Sequence, residues 1–445
     1  MYFLYSGLLV VWGILLVPAF LYKAWRRGTW LPGFSQRMGR LPESLRSDGR
    51  PTIWFHSCSV GETLSLQPLV LDLHRRFPDA RFVFSTVTQT GQQIAAQSFV
   101  AYGEGNTFYF PIDFASVVKR VLDWIQPAMI VIIDTEIWPN TVHQANRRDI
   151  PVVLVNGRIS ANSFRYYRRA RPLLRKVFGN YRALLMQSDE DASRIARMGA
   201  PFDKIFVTGN IKIDRGMPDP KSEETLRRNL EESFAFSTLD APLIVAGSTH
   251  PGEEQILLDA LRHIRQKPSL EETRLLLAPR HPERFDEVTR LAEQNGFKVC
   301  RRSGGPCTPA EAAVLILNSI GELAAAYRFA TIAFVGGTLV RHGGHSILEP
   351  ALHSKAIVVG TSVENFRQIV EEFRAHGGVR QIGAGPEAPE LQLQQLLDVF
   401  LHLLQNAKER EDLGRAAFSI LERNRGTTQR AGERIAAVFE KVSGK

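Results

Sequence analysis

Trp54-Phe55-His56-Ser57-Cys58-Ser59-Val60-Gly61-Glu62 is the stretch whose reading decides the fold. A β-type run over 52–55 ends in a turn of small residues. An apolar, helix-length run over 63–77 follows, with Leu64, Leu66, Leu69, Leu71 and Leu73. That order is strand, tight turn, helix start. In an open α/β sheet, ligands sit outside the carboxyl ends of the strands, so this turn is expected to face a crevice with Glu62 at its lip.

Downstream the same grammar recurs. Strand-like runs at 81–85, 128–133, 152–155, 183–186 and 205–207 alternate with helical patterns, which implies a mostly parallel sheet covered on both faces. The pattern lapses over 210–222, where Met217-Pro218-Asp219-Pro220 is the best linker candidate. A second series then begins at 243–246 and continues through 275–278, 314–317, 332–335 and 357–359. Three helical runs, 391–405, 409–423 and 428–442, close the chain without evident chemistry. A length of 445 residues exceeds what one core usually supports. The expected organisation is a membrane anchor with a basic flank over 1–30, α/β domains over 31–215 and 216–425 with a cleft between them, and a final helix over 426–445.

The net charge of +9 calls for an acidic partner. Residues 1–50 hold seven bases against two acids, and 150–188 hold no acid at all beside Arg158, Arg165, Arg168, Arg169, Arg171, Arg175, Lys176 and Arg182. Within the second block, Phe164-Arg165-Tyr166-Tyr167-Arg168-Arg169-Ala170-Arg171 mixes bases with aromatics, which suits nucleic acid and membrane interfaces alike. The N-terminus favours the membrane over nucleic acid: residues 2–22 carry no charge and, as a helix, would cross a hydrocarbon core of about 30 Å. Its positive flank lies on the C-terminal side, which holds the following domain in the cytoplasm. A basic region before the apolar run and a small-residue cleavage site are both missing, so an uncleaved anchor is preferred to a signal peptide. The three cysteines, Cys58, Cys300 and Cys307, are odd in number and follow no metal-ligand spacing, which points to a reducing compartment and no structural metal.

Acids at strand ends are the candidates for chemistry. Glu62 has two readings: a capping carboxylate at a helix start, or a general base that takes a proton from a hydroxyl. Asp134-Thr135-Glu136-Ile137-Trp138-Pro139-Asn140 again places carboxylates at the end of a buried strand, and Lys212 follows the Thr208-Gly209-Asn210 turn, where a cation could neutralise a leaving phosphate. In the second series, Arg280 and His281 end a strand and open a helix, a setting suited to anions. Gly321-Glu322-Leu323, Gly336-Gly337-Thr338 and the Gly-rich turn from Arg341 to Pro350 end later strands. Neither GxGxxG nor GxxxxGK[ST] is present, so dinucleotide and ATP readings lose their usual support, and no cofactor is expected.

Taken together, these motifs resemble the Kdo transferases, which add 3-deoxy-D-manno-oct-2-ulosonic acid (Kdo) to lipid A precursor in Gram-negative cells. The resemblance rests on the N-terminal apolar segment, His56 to Thr63, Asp134 to Asn140, Thr208 to Lys212, Arg280 to Phe285, and Phe334 to Gly337 with His345 to Glu349, in the family's order over nearly the whole chain. It implies a GT-B fold, with two Rossmann-like domains facing across a cleft, the acceptor on the first and the nucleotide-sugar on the second. It also implies Glu62 as catalytic base and Asp134 and Lys212 as transition-state stabilisers. For CMP it implies contacts from Arg280, His281, the turn of Ile320, Gly321, Glu322 and Leu323, and the helix start of Ile347, Leu348, Glu349 and Pro350. The implied partners are a CMP-Kdo donor, a lipid A precursor acceptor and the anionic lipids of the inner membrane's cytoplasmic face. The implied reaction inverts the β donor to an α linkage without a metal. Asp134 stands where the family has Glu, and Asn318 where Asp is common. On the residues alone, two readings stay open: a membrane-associated GT-B transferase using a UDP-sugar and another lipid, and a non-catalytic binder of anionic lipid.

Overall fold

The computed structural model describes residues 5–7, 32–214, 220–234, 236, 241–303 and 311–444. Apart from Tyr5, Ser6 and Gly7, the expected membrane anchor lies outside the described residues, as does the centre of the expected linker at 217–219. Among the described residues no helix is long and apolar enough to cross a membrane.

The chain divides into two compact units. The first comprises 1–215 and 424–445, the second 216–423. The first unit holds a seven-stranded sheet: β1 (Thr52–Ser57), β2 (Arg81–Thr86), β3 (Thr107–Tyr109), β4 (Met129–Ile133), β5 (Val152–Gly157), β6 (Ala183–Met186) and β7 (Ile205–Val207). Their order is β3-β2-β1-β4-β5-β6-β7, and every pairing is parallel. Successive side chains leave a strand on opposite faces, so both faces need apolar cover in a parallel sheet. β1 shows this: Trp54 packs on one side with Ile130, Ile132 and Leu154, while Ile53 and Phe55 pack on the other with Phe82, Phe84 and Val131.

The second unit repeats the plan with β8 (Leu243–Thr249), β9 (Arg274–Pro279), β10 (Val299–Arg301), β11 (Val314–Ile316), β12 (Ile332–Val335), β13 (Ala356–Val359) and β14 (Arg380–Gln381). The order is β10-β11-β9-β8-β12-β13-β14, again all parallel. The parallel α/β architecture therefore stands in both halves. The three strands that sequence reading missed, β3, β10 and β14, are two or three residues long and lie at sheet edges, too short for a period to register. The helix read over 63–77 is two helices, Val60–Ser65 and Gln67–Arg76, with Pro68 in the first turn of the second.

In each sheet the connections run to opposite sides of one strand pair, β1/β4 in the first and β8/β12 in the second. Such switch points leave a crevice at the strands' carboxyl ends.

The last helix, Thr427–Ser443, packs on Gln67–Arg76 through Ala431, Ile435 and Phe439, and the Phe439 ring meets Phe77 edge-on at 4.9 Å between centroids. Its N-terminus clamps the loop that follows β7. Asp214 accepts from the Gly426 and Thr428 N–H groups at 3.1 and 2.7 Å, Asn424 accepts from Asn210 N–H at 2.7 Å, and Arg430 donates to the Thr208 carbonyl. Gly209 sits in this clamp with φ +99°, and a Cβ there would come within 2.3 Å of the Thr427 hydroxyl, so only glycine fits. Cys58 is a free thiol, but Cys300 is disulfide-bonded, against the expectation of reduced cysteines.

Candidate active site

The β1/β4 switch point carries Glu62 and Asp134. Ser59 caps the Val60–Ser65 helix by accepting from Glu62 N–H at 3.4 Å, and Glu62 reaches back, accepting from Cys58 N–H at 2.6 Å and Ser59 Oγ–H at 2.8 Å. This is a reciprocal cap of the capping-box kind. The capping and base readings of Glu62 thus coexist in one geometry, since each carboxylate oxygen keeps a further acceptor site. Burial, then the nearby Asp134 charge, push the Glu62 pKa up to about 6, against the Cys58 and Ser59 hydrogen bonds and the Lys212 charge that pull it down. A carboxylate with that pKa is ionised at pH 7, yet more basic than an ordinary one.

Asp134 ends β4 in the left-handed region at φ +59°, which Asp tolerates better than most residues. One oxygen accepts from Lys212 Nζ at 2.6 Å and the other from Asn156 Nδ2 at 2.6 Å. Asn156 lies on β5 at a register shift between Leu154 and Gly157, with φ +62°, and its own oxygen accepts from Ile211 N–H at 3.0 Å. This irregularity aims a polar side chain off a buried strand, so Asn156 brackets Asp134 to the loop that bears Lys212. Sequence reading missed Asn156; a lone amide at the end of Val-Val-Leu-Val was the available signal. Lys212 does not stand as an isolated cation here, because its charge is balanced by Asp134 in a pair that is largely buried.

Behind Glu62, on the same β1 face as Trp54, His56 is fully buried and stacks on Phe110 at 3.8 Å. Burial lowers its pKa, so the ring is neutral at pH 7. Glu136 and Cys58 complete a group whose ligand atoms lie within 4.8 Å of one another. No metal-ligand spacing in the sequence marks this group, since Glu136 is far from the other two along the chain.

The β8/β12 switch point in the second unit is of another character. Glu253, fully buried, accepts from the N–H groups of His250, Gly337, Thr338 and Leu339 at 2.7 to 2.9 Å, tying the end of β8 to the loop after β12. Burial pushes its carboxyl up to about 7 against those four donors. Above this anchor, His250 Nε2 lies 2.8 Å from His345 Nε2, the His342 ring stacks on His250 at 3.9 Å, and His281 meets His250 edge-on at 5.5 Å. Burial and neighbouring charges push His250 and His345 down to about 4, so both are neutral at pH 7. Sequence reading missed His250, which ends β8 just before Pro251-Gly252-Glu253.

Of the residues expected to contact CMP, Arg280 and His281 are exposed at the end of β9, and the Arg280 charge acts on both His345 and Glu349. Burial raises the Glu349 pKa and Arg280 lowers it. Ile347, Leu348 and Pro350 turn their side chains into the core and can offer only backbone. The turn after β11 divides: Ile320 is exposed, with Gly321 and Leu323 beside it, whereas Glu322 is buried and accepts from Arg302 Nε and Nη2 at 2.9 and 3.0 Å. Glu322 is thus occupied by an internal ion pair. Asn318 closes the same turn with reciprocal hydrogen bonds to Ser303.

A family profile described as 3-deoxy-D-manno-octulosonic-acid transferase (kdotransferase) matches residues 32–215. The chain is 34% identical to the 3-deoxy-D-manno-octulosonic acid transferase of Haemophilus influenzae over 87% of both chains. It is 30% identical to that of Chlamydophila psittaci over 84% of both. Among solved structures, residues amounting to 45% of this chain align with 98% of the C-terminal CMP-Kdo binding domain of WaaA from Acinetobacter baumannii, at 31% identity and a TM-score of 0.40. With 34% identity sustained over 87% of both chains, the chain belongs to the 3-deoxy-D-manno-octulosonic acid transferases.

Proposed function

We propose that this chain transfers Kdo from CMP-β-Kdo to a hydroxyl of lipid A precursor at the cytoplasmic face of the inner membrane. Family membership supports the reaction class, and the position of Glu62 carries the mechanism: a carboxylate of pKa about 6 at the β1/β4 switch point, beside the Asp134–Lys212 pair. In this scheme Glu62 takes the proton of the acceptor hydroxyl as its oxygen bonds to the anomeric carbon of Kdo, and the bond from that carbon to the CMP phosphate breaks. Attack opposite the leaving group inverts the β donor to an α product through an oxocarbenium-like state. Asp134 and Lys212 are assigned to charge stabilisation at the reacting centre. Arg280 and His281 are assigned to the CMP phosphate, together with backbone at Ile320, Gly321 and Leu323 and at the 347–350 helix start.

The acceptor is phosphorylated and anionic. Tyr166 and Tyr167 are exposed beside Arg165, Arg168 and Arg169, a composition that suits headgroups, and we assign this face and the N-terminal segment to the membrane. The test is incubation with freshly generated CMP-Kdo and tetraacylated lipid A precursor, read by mass spectrometry. Product carrying added Kdo, with turnover inhibited by CMP and not by UDP, is the expected result. No product would overturn this reading and leave the UDP-sugar transferase as the reading to test.

A further inference from the structure

His56, Cys58 and Glu136 present three different ligand atoms to one point. His56 Nδ1 faces Ser85, 3.2 Å from its carbonyl oxygen, which can only accept, and 3.0 Å from its hydroxyl, which can donate or accept; the tautomer that serves the carbonyl carries the ring proton on Nδ1. In the neutral ring, Nε2 is then a bare lone pair. It is completely buried, has no hydrogen-bond partner, and stands 3.7 Å from Glu136 Oε2, beyond hydrogen-bond distance. In that tautomer Nε2 and the carboxylate are both acceptors, and the Cys58 thiol, within 4.8 Å of both, hydrogen-bonds Glu136. An imidazole fixed from behind by a backbone carbonyl, with its second nitrogen free, is the usual arrangement of a metal-bound histidine.

From this geometry we propose that His56 Nε2, Cys58 Sγ and the Glu136 carboxylate form a site for a borderline-soft divalent cation of the Zn²⁺ class. Bonds of about 2.0–2.3 Å around a tetrahedral ion set ligand atoms roughly 3.3–3.8 Å apart. The His56–Glu136 separation already meets that spacing, and a small side-chain rotation brings in the sulfur. Nitrogen, thiolate and carboxylate together select Zn²⁺ or Co²⁺ over Mg²⁺ or Ca²⁺, which prefer all-oxygen shells. Binding releases the thiol proton to solvent, so one thiolate and one carboxylate balance the two charges of the ion. The fourth position is left to water or to an oxygen of a bound substrate. Cys58 and Glu136 are partly exposed and give entry, and His56 closes the floor.

The test is a Co²⁺ titration of the tag-free, full-length chain after chelator treatment. The expected result is a thiolate-to-cobalt charge-transfer band that saturates at one ion per chain and is abolished by Zn²⁺. Cys58→Ser should lose the band, and Glu136→Gln and His56→Gln should weaken cobalt binding by about tenfold or more. His56 is buried and its variant is the one at risk of misfolding, so near-isosteric Cys58→Ser carries the test if that happens. Absence of the band at saturating Co²⁺, or a band of equal strength in Cys58→Ser, would overturn the proposal. The titration uses no substrate, so its failure would leave the proposed Kdo transfer untouched.

Discussion

The two switch points share a topology and differ in chemistry. At β1/β4, Glu62, Asp134 and Glu136 crowd together, and Lys212 pairs with one of them. At β8/β12, the neutral rings of His250 and His345 lie within the field of the exposed Arg280 or of its neighbours, and the fully buried Glu253 is spent on backbone donors. Burial among like charges makes a base, whereas neutral rings and an arginine suit an anion. One sheet plan therefore supports two tasks, with the residues just past the strand ends deciding which.

The contrast breaks most sharply at Glu62. Glu62→Gln keeps the size and most of the cap but cannot accept the proton, so kcat should fall by about 10²–10⁴-fold with donor KM little changed, measured by steady-state transfer. Survival of near-wild-type turnover would reduce Glu62 to its capping role. The corresponding acid of the second unit should behave oppositely. Glu253→Ala strands four buried N–H groups and should cost about 3 kcal/mol of stability, seen as a lower urea midpoint for unfolding. Next in size, Arg280→Ala removes the exposed cation assigned to phosphate. It should raise the donor KM by about tenfold while kcat changes less.

The sequence showed the long central strands plainly, because apolar runs bounded by turn residues admit few other readings. It showed less of the site. Glu62, Asp134, Lys212 and Arg280 were legible as charged residues at strand ends, and their roles came from resemblance. Asn156 and His250 were not singled out, since an amide and an imidazole at strand ends have many ordinary uses. Glu322, which the resemblance assigns to CMP, pairs with Arg302, a partner 20 positions away that no local pattern reveals. The His56–Cys58–Glu136 group joins β1 to the loop after β4, and only sheet order brings them together. The tail, read as devoid of chemistry, holds the Lys212 loop through Asp214 and Asn424. Asp214→Ala should therefore lower transfer severalfold while leaving nucleotide affinity, read by CMP inhibition, unchanged.

The smallest effect is the most pointed. Asp134 raises the Glu62 pKa and Lys212 lowers it, so Asp134→Asn removes the raising charge and leaves the lowering one less compensated. Both changes favour the ionised carboxylate and move the acid limb of activity to lower pH.

The measurement that tests the central claim most directly is log kcat/KM against pH for wild type and Asp134→Asn in parallel. The account predicts a wild-type limb of unit slope that bends near pH 6, and a limb displaced to lower pH in the variant. An acceptor phosphate also ionises in this range, but its limb would be indifferent to residue 134. Coincident limbs in the two proteins, or a flat wild-type profile across this range, would contradict Glu62 as the base.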